Sequence, residues 1–136
     1  MPTQSQRYAR LLKAQKLVKA RDEAELEGTQ SQRSALEDED KFLFSLMENG
    51  SQSDLFDPMM ISRRLEKNAR NEAVLDNLIV KQRKTLLQST RRCDVIDEKR
   101  KAAEDLEERK ELAKMLEEYV AAKSSKTPVW DKLYHL

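Results

Sequence analysis

PMMISRRLEKNARNEAVLDNLIVKQRKTLLQSTRRCDVIDEKRKAAEDLEERKELAKMLEEYVAAK, residues 58–123, has no glycine and only the proline that opens it. A run of this length built from Leu, Ala, Glu, Lys, Arg and Gln has one regular structure open to it, the α-helix, because these side chains lose little rotamer freedom there. Stepping alternately by three and four residues gives Ile61, Leu65, Asn68, Glu72, Leu75, Ile79, Gln82, Leu86, Ser89, Cys93, Ile96, Arg100 and Ala103. The register is then expected to shift through Leu106, Lys110, Ala113, Leu116 and Val120. This is a heptad pattern with polar interruptions, the mark of a helix that packs along another helix.

A second such stretch precedes it. From about Gln4 to Met47 the only Gly or Pro is Gly28, and the same stepping gives Tyr8, Leu11, Gln15, Val18, Asp22, Glu25, Thr29, Gln32, Leu36, Glu39, Leu43 and Leu46, flanked by Leu12, Leu17 and Leu26. The ends of this seam are apolar and the middle is polar, so a loosely packed or bent centre is expected near Gly28 and Thr29. Between the two stretches, residues 48–57 read ENGSQSDLFD. Asn49-Gly50 is a helix-stop and turn signal, while Asp57 before Pro58 is an N-cap followed by proline at the first helical position. Two helices of about 44 and 65 residues, joined by about ten, are expected to lie antiparallel, with the second outrunning the first by roughly 30 Å at 1.5 Å per residue.

The composition agrees with an all-α, long antiparallel two-helix coiled-coil hairpin with unequal helices and a short C-terminal tail. In 136 residues, charged side chains make up 38% and aromatics 5%, with two Gly and three Pro. Turn formers are too scarce for a many-stranded or α/β fold, and a two-helix seam asks for only about two apolar positions in seven. The net charge of +1 gives no global reason to bind nucleic acid or an anionic membrane. The basic dipeptides Arg63-Arg64 and Arg91-Arg92 lie among acidic residues with no aromatic stacker beside them and read as helix surface. Cys93 and His135 are the only residues of their kinds, which leaves no material for a disulfide, a metal cluster or a Ser/His/Asp triad. No catalytic, cofactor or metal site is expected. Cys93, on the seam, reads as a small core residue. A reducing, cytoplasmic setting is expected, because no apolar run reaches the roughly 20 residues of a membrane span and MPTQSQRYAR lacks a signal-peptide core.

Three places stand out as candidate partner-binding surfaces. The first 21 residues hold Arg7, Arg10, Lys13, Lys16, Lys19 and Arg21 and no acid, whereas residues 22–54 hold ten acids against Arg33 and Lys41. The basic start is either a docking surface for an acidic partner or a solvated face balanced by the glutamates of 104–118. Phe56, Met59 and Met60, with Leu55 and Ile61, either close the hairpin on Phe42, Phe44 and Leu46 or form a contact site, a use to which methionine is suited. Trp130 and Tyr134, with Leu133 and Leu136, form a separate apolar patch after Thr127-Pro128, which either folds back or serves as a linear motif.

The basic start RYARLLKAQKLVKARDEAELE, the continuation LEDEDKFLFSLM, a short break and a longer second helix together resemble the FliJ family, the coiled-coil stalks of flagellar type III export and their injectisome relatives. The unequal division at Pro58 and the VWDKLYHL tail depart from that family's pattern. The resemblance implies a non-catalytic, peripheral component of a membrane export apparatus that inserts in the pore of a hexameric export ATPase and touches the export gate. On that reading Arg7, Arg10 and Lys13 belong to the end that meets the ATPase. Two other classes stay open: a coiled-coil adaptor or secretion chaperone that holds a client by its tip or tail, and an oligomeric structural bundle.

Overall fold

The computed structural model describes residues 1–49 and 57–125. They form two helices, α1 (Gln4–Asn49) and α2 (Pro58–Ser125), and no strand occurs among the described residues. The helices pack on each other as an antiparallel hairpin of unequal arms, 46 and 68 residues. Both begin on caps. Asp57 accepts a hydrogen bond through Oδ1 from the Met59 amide at 3.0 Å, with Pro58 at the first helical position, where its missing N–H costs nothing. At α1 the cap is a reciprocal box: the Thr3 hydroxyl accepts from the Gln6 amide at 3.3 Å and Gln6 Oε1 accepts from the Thr3 amide at 3.0 Å, so two otherwise orphaned amides are satisfied.

The chain divides into two compact units, Lys13–Asp94 and Met1–Leu12 with Val95–Leu136. In the first, low-numbered residues of α1 meet high-numbered residues of α2. Asp22 pairs with Ser89, Arg33 with Asp76, Glu39 with Arg64 and Asp40 with Asn68. In the second, the Ser5 amide and hydroxyl donate to the Glu107 carboxylate at 3.0 and 2.6 Å.

On α2 the covered positions follow the expected steps through Ala103. They then continue to Glu107, not Leu106, which stays 53% exposed. Leu116 and Val120 are likewise exposed, so the predicted late seam is corrected. On α1 the covered positions are Ser5, Tyr8, Leu12, Gln15, Val18, Lys19, Asp22, Leu26, Thr29, Arg33, Leu36, Glu39, Asp40, Leu43 and Leu46, three- and four-residue steps that double at 18/19 and 39/40. Nine of the twelve expected positions are covered, and the other three are displaced by one residue. Leu12 replaces Leu11, which is 51% exposed; Leu26 replaces Glu25, and Arg33 replaces Gln32. Gly28 does not interrupt α1, which runs as one helix through it.

The seam is thin and mixed. Its buried apolar residues are Leu12, Leu26, Ile61, Ile79 and Cys93, and its buried polar ones are Asp22, Thr29, Asn68 and Ser89. The polar residues are matched to partners: Ser89 donates to the Asp22 carboxylate, Asn68 Nδ2 donates to Asp40 at 2.9 Å, and the Thr29 hydroxyl returns to the Glu25 carbonyl at 3.0 Å. Pairs of this kind contribute little net stability and penalise any slipped register that would strand them.

Candidate protein-binding surface

Ser5 meets Glu107 only one residue after α1 begins, and every described α2 residue from Glu108 to Ser124 is exposed. Within this stretch Leu112, Met115, Leu116, Tyr119 and Val120 are each between 57% and 62% exposed. Their spacing of i, i+3, i+4, i+7 and i+8 puts them on one face of the helix, the pattern by which an amphipathic helix enters a partner's groove. Single exposed leucines need no explanation, but five large apolar residues in nine positions form a patch.

This face differs from the one that holds α1. Taking 100° per residue, the covered positions Ile96, Arg100, Ala103 and Glu107 lie about 170° around the helix from Leu112, Leu116 and Tyr119 and their in-line neighbours. A partner therefore reaches the apolar face without displacing α1 from residues 96–107. The α1-facing side of the same unit carries an open groove of about 600 Å³ lined by Thr3, Gln4, Tyr8, Ala103, Leu106 and Lys110 among others.

Arg7 and Arg10 lie exposed on the first turns of α1. Neither side chain makes an ion pair or hydrogen bond with a described residue, and the glutamates of 104–118 do not neutralise them: Glu107 is held by Ser5, and Arg100 pairs with Glu104 and Asp97. Lys13, in the other unit, is exposed and also unpaired among the described residues. Met59 and Met60 open α2 at 63% and 67% exposure. Phe56, Trp130 and Tyr134 lie outside the described residues.

The densest polar grouping is in the Lys13–Asp94 unit. Arg33 contacts Asp76 at 2.8 Å, Glu37 at 3.2 Å and Glu72 at 3.6 Å. Asp40 and Glu72 lie beside it. Glu72, hydrogen-bonded to Asp40 and desolvated, is pushed above the usual carboxyl range, while Asp40, accepting from Glu72 and Asn68, is held below it. The cluster faces the helix seam and fixes register. Cys93 is buried in that unit's seam, as expected of a small core residue. Among the described residues no helix is long and apolar enough to cross a membrane. The Thr3–Gln6 box had a legible signal, T-x-x-Q, that reading the seam alone passes over.

Comparison with protein-family models, curated proteins and solved structures finds no match.

Proposed function

We propose that this chain is a non-catalytic protein-binding coiled coil. The observation that carries the reading is the run of large apolar residues from Leu112 to Val120 exposed on a helix with no covering element among the described residues. Leaving such a face in water forfeits roughly 1.5–3 kcal/mol per large side chain that burial would return, and a second protein surface supplies that burial.

The finer reading is a stalk of type III export in the manner of the FliJ family, acting in protein transport at the cytoplasmic side of an export apparatus, with a hexameric export ATPase and an export-gate component as partners. Arg7, Arg10 and Lys13, which make no ion pair among the described residues, support it, because cations not spent on such pairs are available to an acidic surface. The test is a pull-down with the export ATPase of the same organism. The chain is expected to retain the ATPase, Arg7→Glu/Arg10→Glu/Lys13→Glu to lose it, and retention undiminished by that charge reversal would sink the stalk reading. An adaptor or secretion chaperone is the other reading, favoured where loss of Trp130 and Tyr134 alone abolishes all partner binding.

A further inference from the structure

The uncovered stretch of α2 carries a second heptad of its own. Asp105, Arg109, Leu112, Leu116, Tyr119 and Lys123 follow at steps of four, three, four, three and four, and all are exposed. They share a line on the side nearly opposite to α1's contact. Asp105 and Arg109 have no ion pair among the described residues, and the Lys123 ammonium lies 5.0 Å from the ring of its own Tyr119.

We propose that this seam binds a second copy of the chain, helix against helix, in antiparallel two-fold pairing centred on Lys114. The inference rests on reading the Leu112–Val120 face as a protein-contact surface and names its occupant in the free protein. What selects a second copy is self-complementarity. In an antiparallel pair centred there, Leu112 of one chain meets Leu116 of the other, Arg109 meets Tyr119, and Asp105 meets Lys123, each contact occurring twice. Apolar faces apolar, a guanidinium lies on an aromatic ring, and opposite charges close both ends. Leu106 and Val120, both exposed, fall opposite each other on one flank, and Ala113 faces its own counterpart.

Competing arrangements lack this match. Parallel pairing sets Asp105, Arg109 and Lys123 each against itself. Sliding the second copy by four residues sets Arg109 against Lys123. Like charges brought together on a seam are a strong discriminator of register and orientation. Because α1 occupies the other side of α2 over residues 96–107, the second helix enters without clash. The face buries on the order of 1,000 Å² in total, the lower limit of a specific interface, so association in the micromolar range is expected.

The experiment is sedimentation equilibrium of the full chain across the micromolar range. The mass is expected to rise with concentration from 15.9 kDa towards twice that value. Leu116→Glu, at a site that no described residue of α1 covers, is expected to weaken association by more than about a hundredfold at unchanged helical circular dichroism. Asp105→Lys and Lys123→Asp are each expected to weaken it by about three- to tenfold, and the double variant to restore it. Failure of the double variant to restore would overturn the register and with it the proposal. So would a dimer indifferent to Leu116→Glu, or a single-chain mass at every concentration. A single-chain mass that doubles on Trp130→Ser/Leu133→Ser would assign the face to the chain's own tail and overturn the proposal too. A monomer whose Leu116→Glu variant loses ATPase capture would keep the protein-binding reading and overturn only the second copy.

Discussion

At the scale of single residues the seam is governed by what its polar members touch. Asn68 is 1% exposed, so its place opposite Asp40 is a constraint on alignment, since any slip buries an amide without a partner. Asp22 and Ser89 work in the same way, both buried and bonded to each other. Replacing Ser89 by Ala removes the donor and leaves the Asp22 carboxylate with Arg21 at 3.6 Å as its nearest charge partner. Ser89→Ala is expected to cost about 1–3 kcal/mol in urea unfolding. The neighbouring Thr90, whose hydroxyl only returns to the Leu86 carbonyl of its own helix, provides the comparison: Thr90→Ala is expected to change stability by under about 1 kcal/mol. Equal losses at the two positions would show that the interhelical bond does not matter. The seam positions of α2 were legible because polar residues sat on the same three-four steps as Ile61, Ile79 and Cys93. Their partners were not, since pairing requires the other helix.

At the scale of the element, each helix is specified mostly by its ends and its lack of breakers. Asp57-Pro58 announced the start of α2, and the structure bears it out through the Met59 amide. Gly28 is the one residue that opposes α1. It has no positive φ, and an added Cβ would meet nothing within 4 Å, so the position needs no glycine. Gly28→Ala is therefore expected to raise unfolding free energy by about 0.5–1 kcal/mol through lower backbone entropy in the unfolded chain. Thermal melts followed by circular dichroism measure it, and a lower melting temperature would reveal a crowding that the backbone does not show. The uncovered part of α2 has a different basis. It has no tertiary partner among the described residues, and Arg109 and Lys123 share the line of Leu112 and Leu116. Helix propensity and i,i+4 pairs alone give only small stabilisation per residue. Burial of its apolar face on a partner is what would make it as firm as the paired stretches.

At the scale of the whole molecule, stability is tied to acid pH by several carboxylates acting in one direction. Arg64 holds Glu39 below its ordinary range, Glu72 and Asn68 hold Asp40, Arg100 holds Asp97, and Ser5 holds Glu107. For a carboxyl lowered in the folded state, the stabilisation is present above the unfolded value and is lost as pH falls through the folded one. Glu72 acts in reverse: being raised, it favours folding in acid and loses that contribution as pH rises through its own range. Four groups outweigh one, so the urea midpoint is expected to fall steadily from about pH 4.3 downward. A midpoint that holds flat to pH 2.5 would contradict these pairings. The sequence by itself determined the two helices, the Asp57-Pro58 cap, the break between them and the covered face of α2 through Ala103, because propensity, breakers and heptad steps are properties of one segment. Only the tertiary structure decided that Leu12 and Leu26, and not Leu11 and Glu25, fill the seam of α1. Leu11 and Leu12 are both apolar and the middle of the helix is polar on either line, so either register is open to the helix taken alone, and the choice is made by the facing helix. The same holds for the candidate surface. Leu116 and Val120 read as seam residues in sequence, and they are an exposed face because α1 begins opposite Glu107 and no other described residue covers 108–124.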